Sequence, residues 1–208
     1  MGTRKALIII PARKGSSLKD KHLRQVRGSS LIDRAIKSAS IDHPYDILVS
    51  SDSDEILAIG KKAGCWTHKR PSNLADAKST LTDVVKYLVK KYAGYLFYVV
   101  LQPDSPFRNV DHVNQAINKF LKLKATSLVS VVAERHSIWK EHEDGCLSPV
   151  NFVLSNRQDT RPLYISNGAI FITKDGTIGG KPVAYPMSWQ ESIEIHTLFD
   201  LKLAEALA

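Results

Sequence analysis

Short apolar runs alternate with amphipathic segments along most of the chain. Continuous apolar runs such as ALIIIP and YLFYVVLQP predict strands buried on both faces of a sheet, because a strand with one solvated face would alternate polar and apolar residues. Helix starts are predicted at Ser29 or Ser30, at Ser53 and at Thr80, since each can cap a segment whose apolar residues recur at helical spacing. Further strands are predicted at YDILVSS, CWTH, SLVSVVA, NGAIFIT and KPVAYP, and a final helix from Thr197 to Leu207.

Strands that alternate with helices predict an α/β fold with a mostly parallel sheet flanked by helices. We expect a single domain that spans residues 1–208. The segment from His136 to Ser155 breaks the pattern, because it is polar and irregular. This segment is either a long loop or a small excursion from the sheet, which we place at residues 136–162.

Polar clusters follow three of the predicted strands. They are PARKGSS after the first strand, SSDSD after the second and QPDSPFR after the longest apolar run. In a parallel sheet the carboxyl ends of the strands share one edge, and ligands bind in the crevice beyond that edge. The first cluster combines backbone N–H groups and hydroxyls with the cations Arg13 and Lys21, which suits phosphate oxygens. The alternative is a solvated basic loop, since neither a Walker A nor a G-x-G-x-x-G pattern is present.

Charge and hydropathy narrow the possible partners and the location. The net charge of +8 favours anionic partners, but the basic residues are spread along the chain without an arginine-rich tract. We therefore expect small phosphorylated molecules and no nucleic acid. No apolar run approaches the about 20 residues that a membrane span needs. The short run ALIII leads directly into Pro-Ala-Arg and does not read as a secretory signal, so we expect a cytoplasmic protein without membrane contact.

Several segments match known motifs in the order in which they occur. IIPARKGSSLKDKHL is close to the signature I-P-A-R-x-G-S-K-G-x-x-x-K-N, and VLQPDSPFR is close to L-Q-P-T-S-P-L-R. The remaining matching segments are LIDRAI, ILVSSDSDEI, KRPSNLADAKSTLTDVV, NRQDTRPLYISNGAIFI and SIEIHTLFDLKLAEAL. Together they resemble the acylneuraminate cytidylyltransferases, the family of the CMP-sialic acid synthetases. The resemblance implies a Rossmann-like, nucleotidyltransferase-type fold and a homodimer formed through the excursion.

The same resemblance implies a reaction. The anomeric hydroxyl of a nonulosonic sugar acid attacks the α-phosphorus of CTP, and pyrophosphate leaves with the help of a divalent metal. It also implies residue roles, with Arg13 and Lys21 as the catalytic pair that stabilises charge on the triphosphate. The implied nucleotide-binding residues are Arg13, Ser16, Lys21, Asp52, Arg70, Ser79, Thr80 and Thr82, and the implied sugar-acid residues are Gln102, Arg157, Tyr164 and Asn167.

Several of these positions have simpler explanations that the sequence leaves open. Asp52 can close a turn with Ser53, since aspartate side chains accept hydrogen bonds from nearby backbone N–H groups. Asn167 can belong to a turn that precedes a strand, and Arg108 can be a surface cation.

The chain departs from the family pattern in four places. The first loop is one residue short, and Ser17 stands where the family has lysine. His22 replaces an asparagine, and Asp104 replaces the threonine of Q-P-T-S-P. Asp104 either supplies a carboxylate to the site or is a surface residue that caps the next turn.

The fourth departure concerns the metal. Glu194 and His196 stand where the family has two metal-binding aspartates, and residues two apart on an extended segment face the same way. The resemblance implies Mg²⁺, whereas an imidazole ligand suits Mn²⁺ better. The departures leave two alternative functions open: a catalytically impaired, CTP-binding module, or a cytidylyltransferase for another sugar acid such as Kdo.

Overall fold

The computed structural model describes residues 4–14, 18–40, 45–76, 78–151, 161–177 and 180–208. Two predicted site residues, Ser16 and Arg157, lie outside these ranges. The strands are β1 Arg4–Ala12, β2 Gln25–Val26, β3 Ser29–Ser30, β4 Asp46–Ser51, β5 Trp66–Lys69, β6 Tyr95–Val100, β7 Ser127–Glu134, β8 Ile138–Glu141, β9 Leu147–Asn151, β10 Leu163–Thr173 and β11 Val183–Met187. The helices are α1 Leu31–Ala39, α2 Asp54–Lys62, α3 Leu81–Lys91, α4 Val110–Lys122 and α5 Leu198–Leu207.

Seven strands form the central sheet, in the order β11-β7-β10-β6-β1-β4-β5. Strand β10 runs antiparallel to its neighbours β6 and β7, and the other pairings in this sheet are parallel. The expected α/β fold with a mostly parallel sheet is therefore confirmed. The parallel strands β1, β4, β5 and β6 bring the loops that follow them to one edge of the sheet.

The first strand is buried on both faces, as its continuous apolar run predicts. Ile8 and Ile10 pack on the side that carries α1, α2 and α4, whereas Leu7 and Ile9 pack on the opposite side against α3. Side chains alternate between the faces of a strand, so four consecutive apolar residues serve two separate halves of the core.

Three helix starts lie where the capping pattern places them. The side chains of Ser30 and Ser53 accept hydrogen bonds from backbone N–H groups at the starts of α1 and α2. Thr80 and Asp83 form a reciprocal capping box at the start of α3. These caps determine where each helix begins and therefore where the preceding loop must end.

The irregular segment after β7 begins with a two-stranded antiparallel hairpin formed by β8 and β9. The hairpin leaves Trp139, Leu147 and Val150 about half exposed. The excursion is thus seen as a hairpin for residues 138–151, and residues 152–160 lie outside the described ranges. Among the helices that the structure describes, none combines the length and the apolar character of a membrane span.

Candidate active site

The sheet register brings the ends of three strands from distant parts of the chain together. Ala12 pairs with Ser51, and Ser51 pairs with Lys69, so β1, β4 and β5 end side by side. Residues that follow β1 and β5, the start of α3 and the loop after β6 surround a cavity of about 230 Å³ at the carboxyl edge. The cavity is lined by Pro11, Arg13, Lys21, His22, Arg70, Ser79, Thr80, Leu81, Val84, Gln102, Pro103 and Asp104.

Six of the predicted site residues contribute to this lining, and others lie apart from it. The contributors are Arg13, Lys21, Arg70, Ser79, Thr80 and Gln102. Within the described ranges, Asp52, Thr82, Tyr164, Asn167, Glu194 and His196 are not lining residues of this cavity. His22, Pro103 and Asp104 also contribute to the lining, although the resemblance implied no binding role for them.

The cation at position 21 is buried and paired. Lys21 lies in a short 3₁₀ turn after the first loop, and its Nζ donates to Asp104 Oδ2 at 2.6 Å. His22 Nε2 lies 2.8 Å from the other carboxylate oxygen, Asp104 Oδ1. The side chains of Lys21 and His22 are 6% exposed and that of Asp104 is 14% exposed. The expectation that Asp104 is a surface residue capping the next turn is therefore wrong.

Two opposing effects act on the pKa of Asp104. Burial raises it, but the hydrogen bond and charge of His22, together with the charge and hydrogen bond of Lys21, outweigh burial and lower it. The carboxylate is thus ionised over the physiological range. A buried carboxylate is stable in this form only because both of its oxygens have cationic or N–H partners.

Arg70, in the cavity wall, has a buried hydrogen-bond donor without an acceptor among the described residues. Its Nη2 donates to the carbonyl of Ser50 at 3.0 Å, while its buried Nε has no acceptor among the described residues. Burial lowers the pKa of Arg70 to about 10, an effect that the charge of Asp52 opposes and that of Arg13 reinforces. The guanidinium is therefore still a cation at neutral pH. A buried N–H without an acceptor is costly, so this wall suits a ligand that supplies an oxygen or a ring nitrogen.

The first loop and the loop before α3 are tied to each other and to β4. Arg13 Nη1 donates to the carbonyl of Asp76 at 2.6 Å. The backbone N–H of Lys14 donates to Asp52 Oδ1 at 2.7 Å, so the Asp52 carboxylate links two loops across the sheet edge. Ser79 donates to the carboxylate of Asp76. These contacts hold the cavity wall in place.

The N-terminus of α3 borders the same cavity. Thr80 and Leu81, which stand at the start of this 11-residue helix, belong to the lining. Unpaired N–H groups and the helix dipole make such an end favourable for negative charge. Together with Arg13, Lys21 and Arg70, it gives the cavity a cationic character that suits a phosphorylated ligand.

Arg108 holds the loop that carries Gln102 and Asp104. It is almost fully buried, and its Nη1 donates to the carbonyls of Gln102 at 2.7 Å and Ala169 at 2.8 Å. Its Nε donates to Ser38 Oγ at 3.1 Å. Burial lowers the pKa of Arg108 to about 9, and the charge of Asp104 opposes this shift. The interpretation of Arg108 as a surface cation is therefore wrong, because the side chain anchors the cavity loop to β10 and α1.

A glycine joins the cavity loop to the segment that contains the predicted metal residues. Gln102 Nε2 donates to the carbonyl of Gly168 at 3.0 Å. Gly168 has a φ of 63°, and a Cβ there would collide with the carboxylate of Glu194. The N–H of Ile195 donates to the carbonyl of Asp104 at 2.9 Å. The segment around Glu194 thus lies against the loop that lines the cavity.

Asn167 occupies a buried position in β10 instead of the cavity wall. Its Nδ2 donates to Ser192 Oγ at 2.8 Å, and its Oδ1 accepts from the N–H of Ala169 at 3.4 Å. Tyr164, on the outer half of the same strand, is half exposed. In the residues described, these two predicted sugar-acid residues are therefore separate from the cavity that Gln102 lines.

Glu194 and His196 converge, as their spacing predicts. Glu194 Oε2 lies 2.8 Å from His196 Nε2. At this distance the two side chains form a hydrogen bond with each other, and the backbone N–H of His196 donates to Asp200 Oδ2 at 2.9 Å. Within the described ranges no group of three or more histidine, cysteine or carboxylate side chains could hold a metal ion. Glu194 and His196 would therefore have to exchange their mutual hydrogen bond for a metal that takes its other ligands from water and phosphate oxygens.

A mostly parallel sheet with a cationic cavity at its carboxyl edge is typical of Rossmann-like proteins that bind nucleotides. Residues 7–176 match the model of the cytidylyltransferase family. The chain belongs to the cytidylyltransferase family.

Curated relatives agree with this assignment and narrow the resemblance. The chain is 31% identical to an N-acylneuraminate cytidylyltransferase of Streptococcus agalactiae serotype V, an alignment that covers 94% of the chain and 51% of the relative. It is 29% identical to the enzyme of the same name from Escherichia coli O18:K1:H7, over 96% of the chain and 51% of the relative. The chain therefore spans about half the length of these relatives.

Two solved structures share the fold. A CMP:2-keto-3-deoxy-manno-octonic acid synthetase complexed with CTP superposes with a TM-score of 0.70 at 16% identity, covering 98% of each chain. The 4-diphosphocytidyl-2C-methyl-D-erythritol synthase of Anaerococcus prevotii gives a TM-score of 0.72 at 14% identity, covering 99% of this chain and 96% of that one. At these identities the likeness establishes the nucleotidyltransferase fold alone.

Proposed function

We propose that the chain transfers CMP from CTP to a nonulosonic, sialic-type sugar acid and releases pyrophosphate. The observation that carries this proposal is the cationic cavity at the carboxyl edge, where the buried Lys21 and Arg70 face the same space as Arg13. The names of the curated relatives supply the substrate class. They support the sialic-type acid only through moderate sequence identity.

In this proposal the cations hold the triphosphate and the wall residues hold the nucleoside. Arg13 and Lys21, with Ser16 from the first loop, contact the triphosphate and stabilise charge that develops on it. Arg70, with the hydroxyls of Ser79 and Thr80, contacts the cytidine portion. The buried Nε of Arg70 is a donor that a carbonyl oxygen or a ring nitrogen of the base would satisfy.

The reaction is a displacement at phosphorus. The anomeric hydroxyl oxygen of the sugar acid forms a bond to the α-phosphorus and loses its proton to water, while the bond from that phosphorus to the bridging oxygen of pyrophosphate breaks and pyrophosphate leaves with that electron pair. Little covalent chemistry is needed from the protein in such a step. Positioning and charge neutralisation supply most of the rate enhancement, which is the role proposed for Arg13 and Lys21.

A divalent metal belongs to the proposal, with Glu194 and His196 as its protein ligands. When bound, the metal supplies charge neutralisation for phosphate oxygens. The imidazole favours Mn²⁺, although the family resemblance implies Mg²⁺. The chain's own contribution is to keep Glu194 against the backbone of Gly168 and therefore next to the loop of Gln102.

The sugar acid is assigned to Gln102 in the cavity wall and, from the resemblance, to Arg157, Tyr164 and Asn167, of which Tyr164 and Asn167 do not line the cavity. A homodimer is proposed through the excursion at residues 136–162. The hairpin of this excursion exposes Trp139, Leu147 and Val150, and Tyr164 and Ile165 on β10 are also exposed. Exposed large apolar side chains favour burial against a partner surface. A second copy of the chain is the partner that the resemblance implies.

Two alternatives have specific support. The likeness to the structure complexed with CTP favours a CTP-dependent enzyme, but that neighbour acts on an eight-carbon acid, so Kdo is the first alternative substrate. The second alternative is a CTP-binding module with impaired catalysis. It is favoured by the pairing of Lys21 with Asp104, which places a negative charge beside a predicted triphosphate ligand.

The test is pyrophosphate release from CTP with N-acetylneuraminate, legionaminate, pseudaminate and Kdo in turn, each with Mg²⁺ and with Mn²⁺. UTP and ATP serve as nucleotide controls. Release with CTP and one nine-carbon acid supports the proposal. Release with Kdo alone would identify Kdo as the substrate in place of a sialic-type acid. CTP binding without release in any combination supports the impaired module.

A further inference from the structure

Two residues that depart from the family pattern contact each other inside the cavity wall. His22 belongs to the turn after the first loop, and Asp104 belongs to the loop after β6. Nevertheless, His22 Nε2 lies 2.8 Å from Asp104 Oδ1. Both side chains are largely buried, and the second oxygen of the same carboxylate accepts a hydrogen bond from Lys21. The two residues that differ from the family pattern, His22 and Asp104, therefore contact each other.

The arrangement determines which way Lys21 points. Asp104 is held through its backbone, because its carbonyl accepts from the N–H of Ile195 at 2.9 Å. Its carboxylate is oriented by His22 on one oxygen, which leaves the other oxygen directed at Lys21 Nζ at 2.6 Å. A lysine side chain has several rotatable bonds, so a buried carboxylate in a defined orientation selects one position for the ammonium group.

We infer that His22 and Asp104 act together as a positioning unit for Lys21, and that each is functional only with the other. This inference rests on the proposed function, because it assigns the positioned ammonium group to the triphosphate of CTP. Asp104 alone, with an asparagine at position 22, would keep one buried oxygen without its N–H partner. His22 alone, with a threonine at position 104, would lose the carboxylate that its buried N–H meets.

The test is a double-mutant cycle with Asp104→Thr, His22→Asn and the double variant, which introduces the residue pair of the family pattern. Asp104→Thr is expected to lower kcat by about tenfold while the Kd for CTP changes by less than about threefold, because a mobile cation still attracts phosphate but no longer meets the developing charge. His22→Asn is expected to lower kcat by about threefold to tenfold. The double variant is expected to return to within about threefold of the wild type.

A matched control separates this role from general ion-pair loss. Lys69 Nζ and Asp54 Oδ1 are also 2.6 Å apart, but both side chains are mostly exposed. Asp54→Asn is therefore expected to leave kcat and the Kd for CTP unchanged. A purely structural role for Asp104 would lower the melting temperature of Asp104→Thr without changing its kcat at a temperature where the variant is folded, and this result would overturn the inference.

Other outcomes are equally decisive. If the fold-decreases in kcat of the two single variants multiply in the double variant, positions 22 and 104 act independently. This result would contradict the inference. A rise of about tenfold or more in the metal concentration needed for half-maximal activity of Asp104→Thr would identify Asp104 as a metal ligand, also against it. If the wild type neither binds CTP nor releases pyrophosphate, the proposed function fails and the assignment of Lys21 to CTP fails with it. The ligand-free melting temperatures then decide the pairing separately: non-additive values support it and additive values overturn it.

Discussion

His22 Nε2 and Asp104 Oδ1 are 2.8 Å apart, although 82 positions separate the two residues in the chain. The contact connects the loop after β1 to the loop after β6, and Lys21 joins it through the second oxygen of Asp104. Both loops stand at the carboxyl edge of the sheet because β1 and β6 are parallel neighbours. The strand order therefore determines which loops form the cavity wall, and the residues in those loops determine the polarity of its lining.

The stability contributed by ionised Asp104 depends on pH. The folded protein lowers the pKa of this carboxyl below its ordinary value of 3.8, so the stabilisation is fully present above that value and is lost as the pH falls through the folded pKa. The difference in melting temperature between the wild type and Asp104→Asn is therefore expected to shrink as the pH is lowered from about 5 to about 2. A difference that stays constant over this range would show that the charge of Asp104 does not stabilise the fold.

Arg70 is expected to be necessary for nucleotide binding. Arg70→Gln removes the charge and the buried Nε donor, which together correspond to a loss of about tenfold to a hundredfold in affinity for CTP by titration calorimetry. Lys61→Gln on α2 is the matched control, since Lys61 is an exposed cation away from the cavity. Equal affinities in both variants would remove Arg70 from the site.

Gly168 is expected to tolerate no side chain. Gly168→Ala would combine a φ of 63° with a collision between the new Cβ and the Glu194 carboxylate. Gly64→Ala is the matched control, because Gly64 has a φ of 77° but no atom within 4 Å of the position that a Cβ would occupy. Both variants are expected to lose about 1 kcal/mol from backbone strain in chemical denaturation. Only Gly168→Ala should also lose pyrophosphate release, and equal behaviour of the two would contradict the proposed place of Glu194.

The metal preference is expected to follow the residue at position 196. Pyrophosphate release by the wild type should be faster with Mn²⁺ than with Mg²⁺, because an imidazole nitrogen suits Mn²⁺ better. His196→Asp should move the ratio of the two activities toward Mg²⁺ by roughly tenfold. Equal or better activity with Mg²⁺ that is unaffected by His196→Ala would exclude His196 as a ligand.

Much of the fold follows from local patterns in the sequence. The continuous apolar run of Leu7–Ile10 predicts a strand buried on both faces, and the caps at Ser30, Ser53 and Thr80 mark helix starts within single turns. These signals depend on neighbours in sequence. These signals can therefore be recognised without knowing which strands pair.

The contacts that shape the site are not local, and the sequence does not reveal them. Asp104 reads as a turn residue in Q-P-D-S-P until the parallel pairing of β1 and β6 places it beside Lys21 and His22. Arg108 reads as a surface cation because its acceptors are the hydroxyl of Ser38 and two backbone carbonyls, which no residue pattern records. The departures from the family pattern at positions 22 and 104 are visible in the sequence, but only the structure shows that these two side chains contact each other.

The binding of CTP in the cationic cavity is tested by a calorimetric titration of the wild type with CTP in the absence of any sugar acid. UTP and ATP are titrated in parallel under the same conditions. We expect saturable binding of CTP that is at least about tenfold tighter than that of UTP or ATP. No saturable binding of CTP, or equal affinity for all three nucleotides, would contradict it.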